Sequence, residues 1–185
     1  MKSAADKKLF IRKALSHDAH FAARFGATYF ITICCRERHR NQLCNRDVAQ
    51  VIFETAARYD CDANWYLQLL LLMPDHLHAL ISINGDQSLA KTIGNFKRAT
   101  NKFAGVIWQR NFFDHRLRDD GGPIGKESYI RQNPVRAGLV TNADDWPYVM
   151  DRANLDVAVR RTAAACQFPR LYFTPSISSA SAFAS

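Results

Sequence analysis

MPDHLHALISI, residues 73–83, combines a short apolar run with two histidines two positions apart. Side chains on a β-strand alternate between its faces, so this spacing predicts that His76 and His78 point one way and the apolar residues between and after them the other. Pro74 stands at the strand entry, where a missing backbone N–H is tolerated. Two imidazoles on one face favour a metal site, and a pair of partly buried histidines satisfied by hydrogen bonds is the alternative.

Three further segments are predicted to be strands. Residues 28–35 (TYFITICC) are rich in β-branched and aromatic residues. Residues 64–73 (NWYLQLLLLM) form an apolar run that suits a central strand covered on both faces, and they lead into the histidine strand as a hairpin. Residues 106–118 (VIWQRNFFDHRLR) indicate a last strand with a bend.

Three segments are predicted to be helices. Apolar positions recur at helical spacing over residues 47–59 and over residues 88–104. A third helix is expected from about Lys126 until Pro134, which interrupts it. The order strand, helix, strand, strand, helix, strand, helix predicts a ferredoxin-like α+β fold, with an antiparallel sheet and helices packed on one face.

The chain length of 185 residues suits one packed domain, expected over residues 26–141. A basic lead-in over residues 1–25 and a partly disordered C-terminal tail over residues 142–185 are expected around it. Five scattered cysteines without a C-x-x-C pattern argue against a disulfide framework and against a cysteine zinc site. Because no apolar run could cross a bilayer and no secretory signal is apparent, we expect a soluble, cytoplasmic protein with no membrane partner.

The net charge of +8 is concentrated in the middle of the chain. Residues 91–140 hold ten Lys and Arg against four Asp and Glu, whereas residues 141–185 hold four of each. Such a block is typical of proteins that bind a phosphate backbone, although basic faces also serve solubility. Aromatic residues and arginines alternate over residues 106–118, which suits base stacking, and core packing is the alternative for those aromatic residues. The predicted nucleic-acid-binding residues are Arg36, Arg38, Lys91, Lys97, Arg98, Lys102, Trp108, Arg110, His115, Arg116, Arg118, Arg131 and Arg136.

Three ordered motifs resemble those of the REP-associated tyrosine transposases, relatives of the single-tyrosine HUH transposases. They are MPDHLHALI at residues 73–81, NFFDHRLR at residues 111–118 and YIRQNPVRAGLV at residues 129–140. The opening GATYFITICCRERHR at residues 26–40 is similar to the first strand of that family. The resemblance covers about residues 25–141 and implies a metal-dependent enzyme on a ferredoxin-like HUH endonuclease fold, which nicks and joins single-stranded DNA with palindromic hairpins.

The resemblance also implies roles for four residues. His76 and His78 would be metal ligands and Tyr129 the nucleophile that forms a 5′-phosphotyrosine, while Asn133, one helical turn on, would complete the metal shell. Two imidazoles alone would suit zinc, whereas phosphate, amide oxygen and water favour Mg²⁺ or Mn²⁺, the pair the family implies. The purely structural alternatives are ring packing for Tyr129, a helix-end position for Asn133 and a hydrogen bond within the fold for His115.

Two other functions remain open from the sequence. One is a non-catalytic regulator that binds hairpin nucleic acid on the same fold, and the other is a zinc hydrolase that uses water as its nucleophile. The oligomeric state is also open between a monomer and a homodimer that exchanges the tyrosine helix between its subunits.

Overall fold

The computed structural model describes residues 27–117 and 123–155. Its strands are β1 (Ala27–Cys34), β2 (Tyr66–Met73), β3 (His76–Ile83), β4 (Phe113–Arg116) and β5 (Val149–Asp151). Its helices are α1 (Arg46–Cys61), α2 (Leu89–Ala104), α3 (Pro123–Arg131) and α4 (Asn133–Arg136), followed by a short 3-10 helix at Ala143–Asp145. The predicted basic lead-in, Arg118 and most of the predicted tail lie outside the described residues.

The five strands form one sheet in the order β4-β1-β3-β2-β5. Every pair of neighbouring strands is antiparallel. The predicted hairpin joins β2 to β3 through Pro74 and Asp75, while α1 connects β1 to β2 and α2 connects β3 to β4. Two such β-α-β units around a central hairpin make a ferredoxin-like α+β fold, so the predicted fold class is confirmed.

Helices cover both faces of the sheet, which corrects the prediction that they share one face. Ile52 of α1 and Phe96 of α2 belong to a buried cluster with Leu77 of β3. On the opposite face, Ile130 of α3 belongs to a second buried cluster with Leu80 of β3. The apolar run of β2 explains this arrangement, because a strand that is apolar on both sides needs cover on both sides.

The two connecting helices begin and end where capping chemistry predicts. The Asn45 side chain accepts a hydrogen bond from the backbone N–H of Asp47 at 3.0 Å, and Ser88 accepts one from that of Lys91 at 3.4 Å. Gly105 ends α2 in a left-handed conformation with φ of 67°, which glycine adopts at little cost. Capping therefore orients both helices from local sequence.

The predicted strand over residues 106–118 is only partly formed, since β4 spans four residues. Upstream of it, Trp108 is buried, and its indole N–H donates to Thr100 Oγ1 at 2.8 Å. Lys97 Nζ donates to the backbone carbonyls of Gln109 and Arg110 at 2.6 and 2.8 Å. The backbone pairs with the end of β1 at one isolated bridge, where Arg36 N–H donates to the carbonyl of Ile107 and Gln109 N–H to that of Cys34. The regular strand begins only at Phe113.

The sheet continues beyond residue 141, where sequence analysis placed the start of the tail. β5 pairs with β2, and Trp146 packs beside it with its indole N–H donating to the carbonyl of Leu72 at 2.9 Å. Arg152 binds the carboxylate of Asp60 on α1 at 2.9 Å. A three-residue strand is too short to show a period-two pattern, which is why the sequence did not reveal it. None of the helices in the described part of the chain is long and apolar enough to span a membrane.

Candidate active site

His76 and His78 lie side by side on the face of β3 that α3 covers. Their ring centroids are 4.9 Å apart, with the ring planes 83° from each other. Leu77, between them, is buried in the cluster on the opposite face. The predicted alternation is therefore confirmed, and the two imidazoles face the same region.

One ring nitrogen of each histidine is already engaged. His76 Nδ1 lies 2.7 Å from Asp75 Oδ1, and His78 Nδ1 lies 2.9 Å from Thr32 Oγ1 on the neighbouring strand. A partner on Nδ1 holds the ring orientation and the tautomer, so that Nε2 is the nitrogen left for another ligand. This arrangement is typical of histidines that bind a metal.

Asp75 is itself held in place. Its side chain is 9% exposed, accepts from the backbone N–H of His39 at 2.8 Å, and pairs with Arg38 Nε at 3.3 Å. Burial alone would raise the pKa of Asp75, but the bonds from His39 and His76 and the charge of Arg38 hold it below its ordinary value. Arg38, predicted to bind nucleic acid, thus supports the carboxylate behind His76.

Replacing that carboxylate tests its role. We expect Asp75→Asn to weaken Mn²⁺ binding by about 10- to 100-fold, because outer partners of ligating histidines typically contribute that much. Isothermal titration of the purified variant measures the affinity. Asp86→Asn, an exposed aspartate in the loop before α2, is the control and should bind as the parent does. Equal Mn²⁺ affinities for the two variants would show that Asp75 does not support the metal site.

His78 is the more buried of the two imidazoles, with 8% of its surface exposed. Burial, and then the neighbouring His76, lower its pKa to about 3. A neutral imidazole is the form that binds a metal, so His78 is ready to act as a ligand at neutral pH.

The lowered pKa predicts a pH dependence of stability. Between pH 3 and 6.5, the unfolded chain protonates this histidine and the folded chain does not, so the free energy of unfolding should fall as the pH falls. The slope due to His78 should approach about 1.4 kcal/mol per pH unit. Urea unfolding of metal-free protein from pH 6 to pH 5 measures it, because Asp75 and Asp151, whose folded pKa values are lowered, change the stability mainly below about pH 5. His78→Gln should lose this slope and exposed His115→Gln should keep it, and a slope retained in His78→Gln would contradict the assignment.

Tyr129 lies on α3, above the same face of the sheet. Its side chain is 45% exposed, so it is not sealed in the interior. Its ring meets that of Phe30 edge-on with centroids 6.4 Å apart, and Phe30 in turn stacks on His78 at 5.4 Å. One phenylalanine ring therefore separates the phenol from the imidazole pair, and Phe30 was not among the site residues predicted from the sequence.

Two cationic side chains lie close to the phenol ring of Tyr129. Arg136 Cζ lies 4.4 Å from the centroid of Tyr129, and Lys126 Nζ lies 5.4 Å from it and 5.7 Å from that of Phe30. Arg136 was among the predicted nucleic-acid-binding residues, whereas Lys126 was not. Its position three residues before Tyr129, on the same side of the helix, was the signal that could have identified it.

Asn133 begins α4, directly after the break at Gln132. Its amide nitrogen donates to the carbonyls of Tyr129 and Ile130 at 3.1 and 3.0 Å, which satisfies the end of α3. Pro134 is the second residue of the new helix, a position where proline fits. Because the amide nitrogen is engaged, the amide oxygen is the atom that could bind a metal, and this role stays a prediction.

Arg131 anchors the tyrosine helix to the sheet. Its guanidinium binds Glu127 Oε1 at 2.9 Å within the helix and Asp151 Oδ2 at 2.8 Å on β5. Although burial acts against the charge, these two carboxylates raise the pKa of Arg131 above its ordinary value. This residue, predicted to contact nucleic acid, is engaged in positioning α3 over its own sheet.

The other predicted nucleic-acid-binding residues divide by location. Buried Trp108 offers no face for stacking, and Lys97 holds loop carbonyls. Exposed cations of α2 lie on the helix that covers the face opposite the histidines. His115 pairs with Phe30 across β1 and β4, which places it on the histidine face. Besides Arg38 and Arg136, the exposed members of the predicted set are Arg36, Lys91, Arg98, Lys102, Arg110, His115 and Arg116.

The donor set suits a divalent metal with an open shell. Within residues 27–117 and 123–155, no group of three or more His, Cys, Asp or Glu side chains is placed to hold an ion. The pair His76 and His78 would therefore need oxygen ligands such as the amide of Asn133, water or a phosphate. Mg²⁺ and Mn²⁺ accept such mixed shells, whereas a closed structural zinc site would need further protein ligands.

Comparisons with known proteins agree with this geometry. The model of a family described as "Transposase IS200 like" matches residues 24–122, which include both histidines. A protein of Haemophilus influenzae, named among the REP-associated tyrosine transposases, is 29% identical over 141 residues, covering 66% of this chain and 78% of its own. The REP-associated tyrosine transposase of Escherichia coli K12 is 27% identical over 126 residues, covering 66% and 75%.

A solved structure shows the same fold. It is described as a REP-associated tyrosine transposase bound to a REP hairpin, and it superimposes with a TM-score of 0.61 at 22% sequence identity. The superposition covers 87% of this chain and 94% of that one. The α+β architecture expected from the sequence is thus found in a protein of that description.

Proposed function

Because the chain belongs to the IS200-like transposase family, a family of DNA transposases, we propose that it nicks and rejoins single-stranded hairpin DNA through a phosphotyrosine at Tyr129. The observation that carries the proposal is the contact of Tyr129 and His78 with one ring, that of Phe30. Only this ring stands between the exposed phenol and the imidazole pair. The REP hairpin bound by the solved relative supports a palindromic hairpin of the REP kind as substrate.

The proposed step exchanges one ester for another. The Tyr129 oxygen attacks the phosphorus of a phosphodiester, its O–P bond forms, and the bond from phosphorus to the 3′ oxygen breaks. The phenol proton passes to solvent, and the leaving 3′ oxygen takes up a proton to become a free hydroxyl. The 5′ phosphate stays on the tyrosine, so attack by a 3′ hydroxyl can rejoin the strand without ATP.

The chain's own groups suit this step. His76 and His78, with the Asn133 amide oxygen, would hold Mg²⁺ or Mn²⁺, and such an ion supplies charge neutralisation to the nonbridging phosphate oxygens. Lys126 and Arg136, whose charged groups lie 5.4 and 4.4 Å from the centroid of the phenol ring, would attract the phosphate that Tyr129 attacks. The Arg131 contact with Asp151 positions the helix that carries the nucleophile.

The test is a reaction with end-labelled hairpin DNA. The protein is incubated with Mn²⁺ and a hairpin that has single-stranded extensions, labelled on its 5′ or its 3′ end, and then denatured and run on a gel. We expect only the 3′-labelled segment to migrate with the protein and EDTA to abolish the adduct. Binding without cleavage would favour the non-catalytic regulator, and a cut without a protein adduct would favour a hydrolase that uses water.

A further inference from the structure

Phe113 lies in one cross-strand row with the proposed metal ligand His78. Thr32 on β1 pairs with His78 of β3 on one side and with Phe113 of β4 on the other. Residues directly opposite each other in an antiparallel pair share a face, so Phe113 is on the histidine face. Two strand spacings separate Phe113 from His78, which amounts to about 10 Å.

Phe113 also belongs to a row of aromatic rings that ends at Tyr129. Phe30, 8% exposed, contacts both Phe113 and Tyr129, with centroid distances of 6.4 Å in each case. Phe113 is 44% exposed and Tyr129 is 45% exposed. Lys126 Nζ lies 5.7 Å from the centroid of Phe30 and 5.4 Å from that of Tyr129. The face next to the nucleophile thus presents the exposed ring of Phe113, which contacts a ring that lies under a cation.

Strand alternation explains why Phe113 is exposed and its neighbour is not. Phe112 packs against the buried cluster under α1 and α2, so Phe113 points to the other face. The sequence had suggested Trp108 as the stacking residue of this segment, but Trp108 is buried. Phe113 therefore presents a half-exposed ring on the histidine face of the edge strand β4.

We propose that Phe113 is a stacking platform for an unpaired nucleobase next to the phosphate that Tyr129 attacks. The inference rests on the proposed function for the location of that phosphate. Aromatic rings stack on any base, since every base has a π face, and a nearby cation attracts the backbone. At a rise of about 3.4 Å per nucleotide, a distance of about 10 Å places the stacked base within about three nucleotides of the phosphate.

The test uses binding alone, in a Tyr129→Phe background that cannot form the adduct. The probe is a hairpin with single-stranded extensions that carries 2-aminopurine at one extension position, moved across the three nucleotides on each side of the cleavage position. We expect the fluorescence to be quenched at one position, and to recover when Phe113→Ala is added. Phe113→Trp should restore the quenching, which a purely structural role would not predict.

A second binding experiment places an abasic nucleotide at the position where the fluorescence is quenched. It should weaken binding to the Phe113 protein by about 5- to 150-fold and should leave binding to the Phe113→Ala protein unchanged. Phe103→Ala removes an aromatic residue that is 54% exposed on α2, away from the histidine face, and should behave as the parent. Phe113→Leu keeps the apolar bulk without the ring and replaces Phe113→Ala if the alanine protein unfolds.

Two results overturn the proposal. One is an equal abasic penalty with and without the Phe113 ring, and the other is a fluorescence change that Phe103→Ala removes as well. The proposed function can fail separately. If the parent protein forms no adduct but binding depends on Phe113 as described, the stacking role is supported and the nicking reaction is not. If the parent protein forms the adduct but binding does not depend on Phe113, the nicking reaction is supported and the stacking role is not.

Discussion

Tyr129→Phe should lose the covalent protein–DNA adduct, with the rate of cleavage reduced by more than about a hundredfold. The variant removes only the oxygen atom, so the ring contacts with Phe30, Lys126 and Arg136 stay available and the protein should fold. A hundredfold loss corresponds to about 2.7 kcal/mol of transition-state stabilisation, and loss of the attacking atom exceeds that. Single-turnover kinetics on a hairpin substrate with saturating protein and Mn²⁺ measure the rate.

Tyr66→Phe is the matched control for that variant. Tyr66 is 51% exposed and lies under the guanidinium of Arg152, with Cζ 4.6 Å from the ring centroid, much as Tyr129 lies under Arg136. It is a tyrosine in a similar environment that the proposal gives no part in the reaction. We expect Tyr66→Phe to form the adduct at the parental rate, and an equal loss in both variants would show a general effect of removing exposed hydroxyls.

His78→Gln should reduce the rate of metal-dependent cleavage by about a hundredfold or more. A single remaining imidazole at His76 would bind a divalent ion weakly, and charge stabilisation by such an ion is worth several kcal/mol. The Gln side chain fills part of the space and limits the cavity at this buried position. Titration with Mn²⁺ gives the affinity directly, and the cleavage rate at several Mn²⁺ concentrations shows whether excess metal restores activity.

The control for the metal prediction is His115→Gln. His115 is an exposed histidine on the same face of the sheet, opposite Phe30 in the register of β1 and β4. If the ion is held by the β3 pair, this variant should keep the parental Mn²⁺ affinity. Loss of Mn²⁺ binding in His115→Gln but not in His78→Gln would move the metal site to β4 and refute the assignment.

The strongest predictions from the sequence were those that follow from local periodicity. The period of two placed His76 and His78 on one face, and helical spacing located α1 and α2. The element order then led to the fold class. Each of these depends on residues close together in the chain, where a short pattern is sufficient.

The errors concern contacts that are remote in sequence. Nothing local to α3 shows that it packs on the face opposite α1 and α2, because its own apolar pattern is weak and its partners lie on β1, β2, β3 and β5. Trp108 was predicted to bind nucleic acid, with core packing as the alternative, and its own segment could not decide between them because its acceptor, Thr100, lies on a helix. Lys126 and Phe30 entered the site only when tertiary packing brought them to Tyr129.

The central claim is that the Tyr129 oxygen becomes bonded to phosphorus. Mass spectrometry of the trypsin-digested adduct tests it most directly, since cleavage after Lys126 and Arg131 releases residues 127–131 (ESYIR), in which Tyr129 is the only tyrosine. We predict that the 5′-phosphonucleotide mass is carried by this peptide and fragments from its tyrosine. A nucleotide attached to any other residue, or DNA that is cut while every peptide stays unmodified, would contradict the account.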